Sequence, residues 1–445
     1  MSGRPAVLAR EIVDAAASPP PRVLARARAH LIDTVGVAAA ACGDAAVTSV
    51  LGAVGTATAR DAALVLGTAA HALDFDNAQV PSLVHPSCVS VPAALAVAAS
   101  TGADGVRTLT AIALADEVAL WFGELAVVVG EGNSRLFERG FHPTGVCAPM
   151  GAAAAAGLLY GLSAEELAHA IGIACSFAGG ILESNRTGGR IKPVHAGWAA
   201  SSGITAALTA RAGLTAPPTA IEGRFGFRHA FTGVTGDVPP LLTGDGWRME
   251  TTHLKPYPTN GFTHPAIDLA VRLRRAGLRA SDIATVVVGV PTPTLRTIAE
   301  PLAAKRRPAT PYEARFSGPF TVAVALRGGG GLGVGLGDLT PDALTDPGLL
   351  SLVDRIEFTG DPEADAAFPG AQLCRVTVTL HDGTVRTAVT ESTKPTLTEE
   401  EQLTKLDSCL AAASRPTAGL RDATLRPVPD LDPAALYAEL LTVLT

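Results

Sequence analysis

Basic residues are scarce in this chain, with 35 Lys and Arg against 42 Asp and Glu for a formal net charge of −7. Binding to nucleic-acid phosphates calls for a basic surplus or stripe, so no nucleic-acid partner is expected. The six cysteines, Cys42, Cys88, Cys147, Cys175, Cys374 and Cys409, contain no C-x-x-C pair, which argues against a zinc site and a disulfide framework and makes a reducing cytoplasm the expected location. Aromatics are only 4% of the residues and charged side chains 17%, whereas hydrophobic residues, many of them alanine, reach 47%. Small apolar side chains and abundant helix formers point to closely packed helices. The N-terminal MSGRPAVLAREIVDAA has charges where a secretion signal needs its apolar core. VCAPMGAAAAAGLLYGL (146–162) has the length of a membrane span, but its alanine content and amphipathic continuation favour a buried helix, and no membrane association is expected.

At 445 residues the chain exceeds one ordinary core. SPPPRVLARARAHLIDTVGVAAAACG reads as a helix with Ser18 near its cap, prolines in the first turn and Gly43 at its end. Residues 86–101, 107–130, 146–160, 163–178 and 194–212 carry apolar side chains at spacings of three and four, and Ser163 with Glu166 forms a capping box. Near residue 250 the texture changes. SDIATVVVGVP, DRIEFTG and QLCRVTVTLHDGTVRTAVTES are rich in β-branched residues, and His381-Asp382-Gly383 supplies a hairpin turn. The expected fold class is mainly α: an all-α domain over 1–253, an inserted α+β domain over 254–391, and a helical segment over 392–445 that packs back on the first domain. LRGGGGLGVGLGD (326–338) contains one G-x-G-x-x-G match without a parallel-strand unit around it, and reads as a flexible turn.

Chemistry-bearing residues gather in four places. HALDFDNAQVPSLVHPS (71–87) puts two aspartates and two histidines in an apolar context. Were residues 71–78 helical, His71, Asp74 and Ala78 would share a face and Asp76 would point elsewhere; His85 before Pro86 sits where a new helix begins. FHPTGV (141–146) repeats that His-Pro arrangement at His142. ESNRTGGRIKPVHAGWAASSG places Arg186, Arg190 and Lys192 on a glycine-bearing loop leading into a helix, a pattern suited to carboxylate or phosphate, with solvated surface charge as the plain alternative. HLKPYPTNGFTHPAIDLA (253–270) holds Lys255 and His264 on a proline-stiffened loop at the expected domain boundary, where it would face an interdomain cleft; His253 reads as incidental. In YEARFSGPF, Arg315 and Ser317 precede an apolar helix and Ser317 reads equally well as its N-cap. No H-x-x-x-H, H-E-x-x-H or G-x-S-x-G motif occurs, so metal and serine-nucleophile chemistry are not expected.

The ordered series HLIDTVGVAAAACG, HALDFDNAQVPSLVHPS, GFHPTGV, IKPVHAGWAASSG, IEGRFGF, KPYPTNGFTHPAIDLA and ARFSGPF resembles the MmgE/PrpD family across nearly the whole chain. The resemblance implies a large all-α domain built from both chain ends, a smaller α+β lid domain, a homodimer, and catalysis without metal or organic cofactor. Carried over by position, the pocket residues are Asp74, His85, His142, Lys192, Lys255 and His264. The chain also departs from the pattern: Asp74-Phe75-Asp76-Asn77-Ala78-Gln79 stands where many members read Asp-Phe-Asp-Asp-Thr-His. Ala78 replaces a pocket threonine of decarboxylase-like members, Phe320 stands at a tyrosine position, and Thr259 and Asn260 replace the usual cysteines.

The resemblance implies a lyase, a dehydratase or decarboxylase, acting on a small polycarboxylate through a carbanion next to a carboxylate. Lys192, Lys255 and Arg186 would bind substrate with positions Ala78 and Gln79. His142 and His264 would exchange the proton, with His85 and Asp74 orienting them. An epimerase or isomerase using the same proton abstraction is the alternative within this chemistry. A ligand-binding homologue that has lost catalysis is the alternative outside it.

Overall fold

A computed structural model describes residues 3–80, 82–127, 134–244, 246–368, 370–390 and 397–445; the side chains of Asn185 and Arg186 lie outside that description. The chain divides into two compact units, one formed by Met1–Leu254 with Cys409–Thr445 and the other by Lys255–Ser408. The fold is mainly α, with one small four-stranded sheet.

The first unit is helical. Its elements are α1 (Arg4–Ala17), α2 (Pro21–Ala40), α3 (Ala45–Val54), α4 (Ala59–Ala72), α5 (Ser87–Thr101), α6 (Gly105–Glu124), α7 (Arg135–Glu138), α8 (Pro143–Tyr160), α9 (Ala164–Phe177), α10 (Ser184–Thr187), α11 (Lys192–Arg211) and α12 (Phe227–Thr232). Local chemistry sets many of these ends. Thr58 caps α4, Asp104 caps α6, and the Ser163–Glu166 capping box opens α9 as the spacing predicts. Ser18 differs from expectation: it closes α1, because Pro19 and Pro20 interrupt the chain and α2 starts only at Pro21. The alanine-rich stretch at 146–162 lies in α8, whose residues from Pro143 to Gly157 are all buried. Among the described residues no single helix is long and apolar enough to cross a membrane. The helices Ala418–Leu425 and Pro433–Leu444 belong to this unit, and the last packs on α5.

Small residues bring α4, α8 and α11 unusually close. A Cβ added to Gly197 of α11 would stand 2.1 Å from the Leu64 carbonyl of α4, and one on Gly67 would stand 2.8 Å from Gly197 Cα. On the α8 side, a Cβ on Gly203 would meet Ala152 Cβ at 2.4 Å and the Pro149 carbonyl at 2.6 Å.

The second unit carries the sheet, with strands β1 (Ile283–Val290), β2 (Ile356–Gly360), β3 (Arg375–Leu380) and β4 (Val385–Val389) in the order β2-β1-β3-β4. β1 runs parallel to β2 and antiparallel to β3, and β3 with β4 forms the expected hairpin. Gly383 takes φ 86° in its turn, where Asp382 accepts from the Thr384 amide at 2.8 Å. The helices α13 (His264–Arg275) and Gly318–Arg327 pack on one another, and Val286, Val288, Val376, Val378 and Phe320 are buried in this unit's core. The glycine run at 328–337 is a loop whose Gly330 and Gly335 amides both donate to the Asp338 carboxylate at 2.8 Å.

The close helix crossing makes a stability prediction. Gly197→Ala drives a methyl into a backbone carbonyl and should cost about 1–3 kcal/mol or more. Gly52→Ala, in α3 with nothing within 4 Å of its added methyl, should stabilise by about 0.5–1 kcal/mol through helix propensity. Denaturant titration of both variants checks the contrast, and equal effects would contradict the crossing geometry.

Candidate active site

The first group of site residues hangs on the end of α4. His71 lies in its last turn, and the helix stops at Ala72 instead of running on to residue 78. The reason is Asp74, which takes φ 52°, a left-handed conformation uncommon outside glycine that reverses the chain. The helical expectation for 71–78 is therefore corrected, and with it the direction of Asp76. Asp76 turns back into the protein, fully buried, with Oδ2 2.7 Å from His71 Nδ1 and 3.1 Å from His85 Nδ1. The first contact is an aligned hydrogen bond; the second has ion-pair distance without hydrogen-bond alignment.

His85 and His142 each precede a proline that opens a helix, α5 and α8 respectively. The two junctions are tied together, because the His85 amide donates to Thr144 Oγ1 in the first turn of α8 at 2.9 Å. The His142 amide donates to the Gly180 carbonyl at 3.0 Å. The rings form a continuous group. His71 meets His85 edge to face at 5.0 Å and stacks on His142 at 5.3 Å with 20° between planes. His142 Nδ1 lies 3.2 Å from Nδ1 of His195, so one of the two carries the shared proton. Lys192 opens α11, one turn before His195, and its ammonium is 3.1 Å from Asp74 Oδ1. Gly180 takes φ 121° and passes so close to His195 that an added Cβ would stand 3.0 Å from the ring.

Beneath this group lies a second buried carboxylate. Asp116 of α6 accepts from His30 Nδ1 at 2.6 Å, from Ser87 Oγ at 3.0 Å and from the Ser90 hydroxyl. Asn77 donates to Ser87 Oγ at 2.6 Å, which fastens the segment after Asp76 to the start of α5.

Electrostatics separates the groups. Burial pushes the Asp76 carboxyl up, but the facing His71 and His85 outweigh it and hold it well below the usual carboxylate range. His142 is driven well below an ordinary imidazole by burial, and then by His71, Lys192 and His195 around it. Burial and the charges of His71 and Lys192 bring His195 down to about 4, and burial lowers His71 despite Asp76. Nε2 of His71 and of His142 has no hydrogen-bond partner among the described residues. The result is a set of uncharged imidazoles beside one ammonium, able to accept a proton and to hold an anion. His71, Asp76 and Cys88 also offer donor atoms within 4.8 Å of one another. Their chemistry is that of a hydrogen-bonded set: Asp76 Oδ2 is engaged by His71, and Cys88 keeps its proton, pushed well up by burial, for the His85 carbonyl at 3.2 Å.

The remaining sequence-selected residues take varied places. Asp74 partners Lys192. Gln79 is buried with its amide on Glu124 Oε1 and Thr251 Oγ1, both at 3.2 Å, while Ala78 is half-buried and exchanges backbone hydrogen bonds with His253. Arg186 belongs to the single turn α10 and its side chain lies outside the described residues. Arg190 is 61% exposed and 3.5 Å from Asp44, which makes it solvated surface charge. In the second unit Lys255 is buried; His264 begins α13, donates from Nε2 to the Thr259 carbonyl at 3.1 Å, and meets Tyr257 edge to face. Asn260 accepts from the Phe262 amide and Ser317 from the Phe320 amide, so both act as caps. Sequence reasoning missed Asp76, His71 and His195 as members of the group. The Lys192-x-x-His195 spacing of one helical turn was a readable signal; the His71–Asp76 pairing depends on the reversal at Asp74.

The lowered histidines set a pH dependence. Folded, His71, His142 and His195 stay uncharged where the unfolded chain takes up protons near pH 6.5. Their stabilisation is full above about pH 6.5 and is lost as pH falls towards about 4, the value at His195. Glu117, buried against Arg248 and raised from 4.5 to about 7, acts oppositely, its contribution fading as pH rises through 7. Three imidazoles outweigh one carboxyl. The melting temperature should fall from about pH 7 to pH 5, and His142→Asn should flatten that fall; a rise over this interval would refute the assignment.

Residues 8–237 match the model of the MmgE/PrpD N-terminal domain and residues 257–423 that of the MmgE/PrpD C-terminal domain. Cis-aconitate decarboxylase of Homo sapiens is 29% identical over 334 residues, covering 72% of this chain and 66% of that protein, a little under two-thirds of its length. The cis-aconitate decarboxylase-like protein oryM of Aspergillus oryzae is 28% identical, covering 76% of this chain and 73% of its own. Cis-aconitate decarboxylase of Aspergillus terreus is 28% identical over 214 residues, covering 46% of this chain and 43% of its own. With both domain models matched in order over most of its length, the chain belongs to the MmgE/PrpD family.

Proposed function

We propose that this protein is a lyase acting on a small polycarboxylate of the cis-aconitate class, through a carbanion stabilised by an adjoining carboxylate and without a metal or organic cofactor. The observation that carries this reading is the buried imidazole group, held uncharged beside the Lys192 ammonium. In a carboxy-lyase reaction the bond from carbon to one carboxylate breaks, its electron pair stays on carbon and spreads into the unsaturated acid, and carbon dioxide leaves. A proton delivered to carbon completes the product. In a hydro-lyase reaction an imidazole removes a proton next to a carboxylate and hydroxide departs as water. Both need a cation for the substrate carboxylate and a proton carrier with a neutral resting form. Lys192 supplies the first and His142 suits the second. The family resemblance adds Lys255 as a second carboxylate ligand and His264 as a second proton carrier. The names of the curated relatives, all cis-aconitate decarboxylases or decarboxylase-like, favour loss of carbon dioxide over loss of water.

Proton NMR in D₂O with cis-aconitate, citrate, 2-methylcitrate and smaller dicarboxylates tests the proposal. The expected result is loss of a carboxylate with solvent deuterium delivered to carbon, or loss of water with the hydrogen next to the carboxylate released to solvent. Deuterium exchange without loss of a group would make the protein an epimerase, and no exchange with any acid would remove the lyase reading. His142→Asn and His264→Gln should each lower turnover by about 10²-fold or more. Lys192→Met should lower kcat/KM by about 10²- to 10³-fold. Near-normal turnover in a folded variant would remove that residue from its role.

A further inference from the structure

We propose that Asp76 is the positioning residue of this site: its carboxylate holds His71 by a hydrogen bond at Nδ1, stands as counter-ion beside Nδ1 of His85, and so leaves Nε2 of His85 for proton transfer with the substrate. The proposal rests on the lyase reading for its consequence in catalysis, and on geometry for the positioning itself.

Asp76 Oδ2 is shared by two imidazoles, at 2.7 Å from His71 Nδ1 and 3.1 Å from His85 Nδ1. Both the carboxylate and His71 are wholly inside, whereas the His85 side chain is 15% exposed, so of the two rings held by Asp76 it is His85 that solvent and substrate can reach. An anion accepts and cannot donate, so it fixes hydrogen on Nδ1 of His71, and its charge 3.1 Å from Nδ1 of His85 favours hydrogen on that atom too, which leaves the lone pair on Nε2. When His85 takes a proton on Nε2, the imidazolium has its counter-ion already in place. Asp76 stays ionised throughout, because the two rings facing it hold its carboxyl well below the usual range.

Among the described residues His142 has no such partner. The groups around it are His71 from α4, His85, Lys192 and His195 from α11, each of which opposes a positive charge on its ring. His71 links the two halves, because it is hydrogen-bonded to Asp76 and stacked on His142. Beside His85 stand Asp76 at 3.1 Å, His71 edge to face at 5.0 Å, and His142, and among the described residues Asp76 is the anion within ion-pair reach of its ring. His85 stands beside an anion and His142 among imidazoles and an ammonium, and these opposite surroundings divide acid from base. His85 carries the proton that is delivered to carbon, and His142 remains the uncharged acceptor. The proton balance closes within the site: His85 gives its Nε2 proton to the carbanion and regains one from water.

The test pairs Asp76→Asn, which keeps shape and removes charge, with Asp76→Glu, which restores the charge. Kinetics should show kcat of Asp76→Asn lower by about 10²-fold with KM little changed, and the alkaline limb of the pH profile displaced to lower pH. Asp76→Glu should recover part of kcat. A second readout needs no substrate: histidine-selective ¹⁵N NMR, with the His85 signal identified by its loss in His85→Gln. In the wild-type protein that signal should report hydrogen on Nδ1, and in Asp76→Asn its titration should move to lower pH. An unchanged His85 signal and titration in folded Asp76→Asn would overturn the proposal, as would unchanged kcat in an enzyme that turns over. If the wild-type protein acts on no acid in the panel, the lyase reading fails while the NMR result still decides the role of Asp76.

Discussion

The constraint on which the first unit depends is the near-contact of backbones where α4, α8 and α11 cross. Gly67, Gly197 and Gly203 leave no room for a side chain at those crossings, so the helices lie closer than leucine-sized residues would permit. The site is built from the ends of those same helices. His71 lies in the last turn of α4, His142 caps α8, and Lys192 begins α11 with His195 one turn later. Long side chains at the crossings would separate the axes and with them the 3.2 Å approach of His142 to His195 and the 5.3 Å stack of His71 on His142. The alanine and glycine content of the chain is in this sense part of the site.

Much of this organisation is legible in the sequence, because it is local. Spacings of three and four place the helices, Ser163 with Glu166 marks a cap, and His381-Asp382-Gly383 marks a turn between alternating runs. The His-Pro repeat correctly predicts two histidines at helix starts, since proline suits the N-cap of α5 and the first position of α8 and biases the residue before it out of the helix. What the sequence does not reveal is which local features meet. Helical spacing over residues 71–78 pointed Asp74 inward and Asp76 away; a single left-handed residue at Asp74 reverses that, and nothing in the side chain of aspartate announces it. The pairing of Gln79 with Glu124 and Thr251 spans 45 and 172 residues, and the proximity of Lys192 to Asp74 spans 118. Such distances along the chain are settled by helix packing, for which residue spacing holds no record. Arg190 shows the converse: its loop context resembled that of Lys192, yet the first turn of α11 carries one cation inward and leaves the other in water.

Two carboxylates two residues apart illustrate how burial assigns tasks. Asp74 and Asp76 flank the buried Phe75, and the reversal at Asp74 sends them to different neighbours. Asp74 meets an ammonium whose side chain is 15% exposed, a contact that water and incoming anions can compete for. Asp76, itself with no exposure at all, meets two imidazoles, and a charge so placed would be costly without them. The first pair could yield its lysine to a substrate carboxylate, because part of the ammonium side chain already lies in reach of water. The second cannot be opened without leaving a carboxylate unpaired in the interior. One short segment therefore supplies counter-ions for a partly exposed ammonium and for two imidazoles, and the proposed lyase chemistry on a polycarboxylate would use both at once.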